Sequence, residues 1–392
     1  MQAAPTDRPV SLARSTLGPS TPSFQVTHAD PERKARCGRL VTRHGAVDTP
    51  AFMPVGTLGT VKGLTPAQLQ DAGVQILLAN AYHLAVRPGT ALIRALGGLH
   101  RFMGWDGPIL TDSGGYQILS LAPLRKVTDD GVEFRSHLDG APLFFSPEDV
   151  VRLQVDLGVD IIMVLDECVA GNASRDDAAR AIRRTSDWAS RCRRTDTAPG
   201  QLMFGIIQGC SYGDLRVQHA HELVSLDFPG YAVGGLSVGE DRAMTLALAE
   251  QTAAVLPADR PRYLMGVGLP EDLIRFVSMG YDLFDCVLPT RNGRNGMLFT
   301  STGRLNIRLA RYSTDSDPVD TACGCYTCRT FSRAYLRHLA ASNEMLGGQL
   351  ASLHNVHFYQ DLMHGMRRAI AEGRFTAWAA ERLERLSPGG EA

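Results

Sequence analysis

Short apolar runs return along the chain at intervals of one strand and one helix. They are residues 51–57 (AFMPVGT), 74–80 (VQILLAN), 108–112 (PILTD), 160–166 (DIIMVLD), 202–208 (LMFGIIQ), 230–235 (GYAVGG), 263–268 (YLMGVG) and 281–288 (YDLFDCVL). Each has about the length of a strand buried on both faces, and each is followed by turn residues and a helical pattern. The helices carry start and stop signals. Ser146-Pro147-Glu148-Asp149 opens one that Gly158 closes, Ser174 with Asp177 opens the next, and Pro270 and Gly280 bracket the one between the last two runs. Eight strands alternating with helices predict an α/β fold of the (β/α)8 TIM barrel type. An open doubly wound sheet is the alternative, since periodicity does not show closure, but no glycine-rich phosphate loop follows the first run.

Two segments break the alternation. Residues 24–50 read as an antiparallel β lid turning at His44-Gly45, and VEFRSHLDGAPLFF reads as a hairpin turning at Asp139-Gly140. The expected organisation is an unordered lead-in over 1–22, a barrel with its N-terminal lid over 23–300, a metal-binding subdomain with the final helices over 301–375, and a helix end and tail over 376–392. With 44% hydrophobic and 21% charged residues the chain is expected to be globular. No apolar run is long enough to span a bilayer and the N-terminus lacks the core of a secretory signal, so no membrane and a cytoplasmic location are expected.

In such a barrel, chemistry belongs to the C-terminal ends of the strands, and here those ends are polar: Asn80, Asp112, Asp166, Gln208, Gly235 and Asp285. One aspartate at a strand end is as readily a helix cap. Three aspartates and an amide on one rim instead suit glycosyl transfer, where one carboxylate attacks an anomeric carbon and another moves a proton. Of eight cysteines, five are scattered (Cys37, Cys168, Cys192, Cys210 and Cys286), and three crowd together as C-x-C-x2-C with a histidine following after 25 residues. Cys323, Cys325, Cys328 and His354 would fill a tetrahedral Zn2+ with no open position, a structural site with one ion per chain. His357 and His338 are alternative fourth ligands. The net charge is −1, yet Arg291 to Arg337 holds eight Arg against three Asp with no Lys or Glu, a local +5.

LTDSGGYQ, VLDEC, YAVGGLSVGE, YLMGVG and FDCVLPTRNGRNG, together with the cysteine array, resemble the tRNA-guanine transglycosylase family of the bacterial kind, from about residue 24 to about 375. The resemblance implies a barrel with an inserted zinc subdomain and a homodimer. It implies exchange of the wobble guanine of GUN-anticodon tRNAs for 7-aminomethyl-7-deazaguanine, in queuosine biosynthesis, through a covalent aspartyl-RNA intermediate. It makes Asp285 the nucleophile and Asp112 the proton acceptor and donor. Asp166 and Gln208 would read the base edge with the main chain of Gly235 and Leu236, Tyr116 and Met265 would sandwich the base, and Ser113, Gly114 and Gly115 would also bind the substrate. Cys168 and Val238 are of the bacterial type and leave no room for the bulkier queuine, and Glu240 would steady one orientation of the Leu236 peptide. The anticodon stem-loop would meet Gly266, Val267, Gly268, Leu269, Pro270, Glu271 and Asp272, and Thr290, Arg291, Asn292, Gly293 and Arg294. Leu269 departs from the pattern, standing where some relatives carry a polar or basic side chain. A non-catalytic RNA-binding subunit of the same family would have lost a carboxylate, whereas Asp112, Asp166 and Asp285 are all present. A carbohydrate-active barrel hydrolase would need neither the cysteines nor the arginines.

Overall fold

The computed structural model describes residues 23–117 and 125–386. The expected lead-in at 1–22 and the tail residues 387–392 lie outside the described residues. The chain begins with an antiparallel sheet of β1 (Ser23–Ala29), β2 (Arg36–Thr42) and β3 (Gly45–Thr49), with Arg43 and His44 in the second turn. It continues with β4 (Ala51–Pro54), β5 (Leu77–Asn80) and β6 (Ile109–Asp112). A second antiparallel sheet follows, β7 (Lys126–Val127), β8 (Val132–Arg135) and β9 (Pro142–Phe145), turning where Asp139-Gly140 predicts. Then come β10 (Ile161–Met163), β11 (Leu202–Ile207), β12 (Gly230–Val233), β13 (Arg262–Leu264) and β14 (Leu283–Cys286).

Strands β4, β5, β6 and β10 to β14 form one eight-stranded sheet in which every pair is parallel and each strand neighbours the next of the series. β14 returns to β4, with Leu283 opposite Ala51 and Cys286 opposite Pro54. A parallel bridge between Val55 and Leu78 joins β4 to β5, so the sheet is a closed ring and not an open doubly wound one. Side chains inside the ring and under the helices are dry: Phe52, Ile162, Phe204, Ile206, Ala232, Leu264 and Phe284 are each at most 1% exposed. Burial on both faces is why these strands read as unbroken apolar runs.

The helices start and stop where their caps dictate. Ser146 and Asp149 form a capping box before the helix Pro147–Leu157, and Gly158 ends it in the left-handed region at φ 73°. The helix Arg175–Arg194 is capped by Ser174, has Asp176 and Asp177 in its first turn and Arg191, Arg193 and Arg194 in its last, complementing its dipole at both ends.

The N-terminal sheet closes the end of the barrel opposite the polar strand ends. Arg36 meets Asp282, the residue before β14, at 2.6 Å, and His44 Nδ1 meets Asp160, the residue before β10, at 2.8 Å. The second hairpin lies on the other side, in the crossover that leaves the C-terminal end of β6, where the Tyr82 hydroxyl bonds His137 of its turn at 2.8 Å.

Beyond β14, the helix Leu288–Arg294 leads to a hairpin of β15 (Met297–Thr300) and β16 (Gly303–Asn306), then to the short helix Tyr326–Thr330 and to Arg333–Ala341. These pieces bury a small second core around Leu298, Leu305, Ile307, Val319, Leu336 and Leu350, with Cys325 and Cys328 in it. The long helix Met345–Ala371 serves both cores: Leu350 and Ala351 face the small one, and Leu353, Val356, Tyr359 and Met363 face the barrel. Gly293 is where the helix Leu288–Arg294 crosses it, since a Cβ there would lie 2.8 Å from the backbone nitrogen of Ser352. The helix Phe375–Leu386 packs Phe375 into the barrel core.

Candidate active site and metal centre

The polar strand ends meet in one cavity of about 470 Å³ at the C-terminal face of the barrel. It is lined by Asp112, Ser113, Gly115, Tyr116, Asp166, Cys168, Gln208, Gly235, Leu236, Val238, Met265, Gly266 and Asp285, all expected from sequence. Asn80, His83, Gln117 and Tyr263 line it as well.

Each carboxylate is braced by a residue from the neighbouring strand. Asp112 ends β6 opposite Asn80, which ends β5, and the Asn80 amide donates to Asp112 Oδ2. The Ala81 N–H donates to Oδ1 at 3.0 Å and Gln117 Nε2 to Oδ2 at 2.7 Å. Asp166, beyond β10, receives Gln208 Nε2 from the end of β11 at 2.7 Å and the Ser113 hydroxyl at 2.9 Å. Asp285 on β14 receives the Tyr263 hydroxyl from β13 at 2.6 Å and the Gly266 N–H at 2.7 Å, both on Oδ1.

Burial lifts all three carboxyls above the usual range, and their hydrogen bonds work against that lift. Asp112 is pushed up to about 6, chiefly by burial, with the charge of Asp285 adding to it. Asp285 is raised by burial as well and is held toward its anion by Tyr263 and Gly266. Glu240 goes the other way. Burial raises it, but the Thr245 hydroxyl at 2.7 Å and the N–H groups of Ser237 and Val238 outweigh that and hold it below the ordinary value.

Glycine is required where backbone meets side chain. A Cβ on Gly115 would lie 2.5 Å from Asp166 Oδ1, and one on Gly235, at φ +62°, would lie 2.3 Å from Gln208 Oε1. Tyr116 is 54% exposed and Met265 half-buried, so both offer a face to the cavity.

Of the residues expected to meet RNA, Gly266, Arg291 and Arg294 are exposed, and neither arginine has an ion pair among the described residues. Val267, Gly268, Pro270, Thr290 and Gly293 are buried and shape the backbone there, with Gly268 O accepting from the Tyr359 hydroxyl. Glu271 pairs with Arg304 at 2.7 Å, and Asp272 pairs with Arg242. Leu269 caps its helix without a side-chain bond. Much of the local +5 is therefore spent on internal contacts: Arg333 pairs with Asp315 at 3.1 Å, and Arg308 bonds the carbonyl of Asn295 at 3.2 Å.

Sequence reasoning missed three supports. Tyr263 opens YLMGVG, in which the resemblance gives roles only to Met265 and the residues from Gly266 onward. Gln117 closes LTDSGGYQ, where the resemblance assigns it no role. Arg216 sits in the helix Gly213–Ser225 with no flag of any kind, yet it is fully buried against the loops that carry Gln208 and Gly235.

The metal candidates assemble. Ligand atoms of Cys323, Cys325, Cys328 and His354 lie within 4.8 Å of one another. His354 Nδ1 is 3.7, 3.5 and 3.3 Å from the three sulfurs, and its Nε2 meets the Phe299 carbonyl at 2.7 Å, which turns Nδ1 toward them. Zn–S bonds of about 2.3 Å and a Zn–N bond of about 2.0 Å in a tetrahedron require N to S separations of about 3.5 Å, so the set fits Zn2+. His357 reaches only Cys323, at 3.7 Å, and neither it nor His338 belongs to the cluster.

Comparison with known proteins agrees with this geometry. The family model for queuine tRNA-ribosyltransferase matches residues 30–388. The chain is 56% identical over 359 residues to the queuine tRNA-ribosyltransferase of Solidesulfovibrio magneticus, covering 91% of this chain and 96% of the relative. It is 55% identical over 353 residues to that of Desulforudis audaxviator, covering 90% and 95%, and 49% identical over 366 residues to that of Desulforamulus reducens, covering 93% and 99%. No helix among the described residues is long and apolar enough to cross a membrane.

Proposed function

The chain belongs to the queuine tRNA-ribosyltransferase family, and on that premise we propose that it replaces the wobble guanine in the anticodon loop of GUN-anticodon tRNAs by 7-aminomethyl-7-deazaguanine through a covalent intermediate on Asp285. It is a tRNA-guanine transglycosylase, a pentosyltransferase of queuosine biosynthesis. The observation that carries the finer reading is the asymmetry of the carboxylates. Asp285 has one oxygen clasped by Tyr263 and Gly266 and the other without a hydrogen bond among the described residues, whereas Asp112 has both oxygens held and its pKa pushed up to about 6.

The chemistry follows from that asymmetry. The second oxygen of Asp285 attacks C1′ of the flipped nucleotide, the C1′–N bond breaks, and its electron pair leaves with guanine, which takes a proton from Asp112. The entering base gives a proton back to Asp112 and attacks C1′, and the ester bond to Asp285 breaks. Two inversions conserve the configuration at C1′.

Asp166 and Gln208, locked together at 2.7 Å, offer acceptor and donor atoms to a guanine-type edge, and Tyr116 and Met265 offer a π face and a thioether to its plane. Glu240 accepts from the Ser237 N–H, which orients the Leu236–Ser237 peptide with its carbonyl away from Glu240. That orientation suits the aminomethyl group of the entering base. Cys168 and Val238 fill the wall where a larger substituent would go.

Cys323, Cys325, Cys328 and His354 would hold Zn2+, which supplies a crosslink for the subdomain and no chemistry at the reacting atoms. Arg291 and Arg294 would meet the RNA beside the target. In the same reading the enzyme works in the cytoplasm as a homodimer, which would cover exposed side chains of the subdomain such as Tyr326 and Met345.

The test is to incubate the protein with unmodified tRNA and labelled guanine. Label entering the RNA at the wobble position is the expected result, and none entering overturns the reading.

A further inference from the structure

Arg216 is the largest fully buried cation among the described residues, and it has no carboxylate within ion-pair distance. Its place is costly. It lies near the start of the helix Gly213–Ser225, where the dipole disfavours a positive side chain, and burial pulls its pKa down to about 10. Every hydrogen bond it makes goes to a backbone carbonyl. Nε donates to Cys210 at 2.7 Å, Nη1 to Gly234 at 2.9 Å and Nη2 to Gly235 at 2.6 Å.

Those carbonyls belong to the two loops that read the base, the one after β11 that carries Gln208 and the one after β12 that carries Gly235 and Leu236. Both loops hold unusual backbone at the contact. Cys210 has φ +53° and Gly235 has φ +62°, and a Cβ on Gly209 would lie 2.6 Å from the Arg216 side chain. In a trans peptide the N–H points opposite to the C=O. With the carbonyls of Gly234 and Gly235 both turned back onto Arg216, the N–H groups of Gly235 and Leu236 face away from it, and both residues line the cavity. Neither N–H has a hydrogen-bond partner among the described residues. Two successive N–H groups facing one side form a concave donor pair, suited to an oxygen that carries partial negative charge.

We propose that Arg216 is a positioning residue that turns the Gly235 and Leu236 N–H groups into the cavity, so that the enzyme selects bases carrying a 6-oxo group. The proposal rests on the base-exchange reading above and assigns the selection of one edge atom to a residue that touches no substrate. The 2-amino side of the base is left to Asp166, which Arg216 does not contact.

The two edges can be read separately with free bases as competitors of guanine incorporation into tRNA. 2-Aminopurine lacks the 6-oxo group and keeps the 2-amino group, while hypoxanthine does the reverse. In wild type, guanine is expected to outcompete both. In Arg216→Lys and Arg216→Met the preference for guanine over 2-aminopurine should fall about tenfold, the scale of a lost or misaligned hydrogen bond to the base, while that for guanine over hypoxanthine stays within about twofold. The lysine variant should lose less than the methionine one, since it keeps one charged donor.

Both preferences falling together, or neither changing, in variants that keep wild-type zinc content would overturn the proposal. Should the variants not fold, wild type decides alone. The amide resonances of Gly235 and Leu236 should shift on adding guanine or hypoxanthine and not on adding 2-aminopurine, and equal shifts with all three would reject it. Wild type that exchanges no guanine at all would instead refute the underlying reading.

Discussion

At the scale of single residues, the site works by giving like side chains unlike surroundings. Asp112 and Asp285 are both buried and both raised by it, but the charge of Asp285 adds to the lift on Asp112, which reaches about 6, whereas Tyr263 and Gly266 hold Asp285 toward its anion. Asp112→Asn should keep RNA binding and lower labelled-guanine exchange roughly 10²- to 10⁴-fold, while Asp285→Asn should abolish the adduct that survives a denaturing gel. An adduct persisting in Asp285→Asn would move the nucleophile elsewhere. The same shift has a sign for stability. A carboxyl whose folded pKa is raised binds its proton more tightly in the native state, so its contribution is present below the unfolded pKa of about 4 and is lost as pH climbs through about 6. Asp112→Asn should therefore gain on wild type in thermal unfolding between those two pH values, by at most about 3 kcal/mol. A difference that is flat across that window would mean that folding does not shift the Asp112 pKa.

At the scale of elements, the subdomain depends on one knot of ligands and one close crossing. The small core holds few apolar side chains, and two of its members are the ligands Cys325 and Cys328. Cys323→Ala, or zinc removal by a chelator, should unfold the stretch from β15 to the helix Arg333–Ala341 and weaken RNA binding, while base binding in the barrel survives. Metal analysis should find one zinc per chain, and protein purified without zinc yet equally resistant to protease in this stretch would refute the structural role. Gly293→Ala puts a methyl 2.8 Å from the Ser352 nitrogen and 2.9 Å from the Ala351 carbonyl carbon, both backbone. The crossing helices must then part, at about 1–3 kcal/mol, and Arg291 and Arg294 ride on the helix that moves. Unfolding midpoints and tRNA affinity should fall together. Unchanged values in both would show that the crossing has slack.

At the scale of the whole molecule, the barrel is held by its bottom as its chemistry is held by its top. Asp160 is fully buried and accepts from His44 at 2.8 Å, His100 at 3.0 Å and the Ile109 N–H at 2.9 Å, pinning the N-terminal sheet to β6 and β10. Burial alone would raise its pKa, but the hydrogen bonds from His100 and His44 overcome that and hold it well below the usual range. Its stabilising contribution is thus present above the unfolded pKa and is lost as pH falls below it, and Asp160→Ala should cost roughly 2–4 kcal/mol at pH 7 and progressively less in acid. A cost that does not change with pH would assign it to packing. This contact was illegible in the sequence, because His44, His100 and Asp160 are brought together only by tertiary folding. The eight strands were legible because burial on both faces leaves an apolar run, and the ligand set because three of its four members fall within residues 323–328. Ring closure was not, since it rests on the Val55–Leu78 bridge, and Tyr263 and Arg216 were not, since nothing local distinguishes a tyrosine or arginine that braces a site from one that packs. The braces also bear on how such a site is moved or altered. Asn80 with Asp112, Gln208 with Asp166 and Tyr263 with Asp285 are each carried on adjacent strand ends, so each acid and its partner are displaced as one when the ring flexes. The unit of inheritance is then the pair of neighbouring strand ends, and grafting this chemistry onto another barrel means transplanting three such pairs, six strand ends in their original order, where three aspartates alone would arrive without the neighbours that make them different from one another.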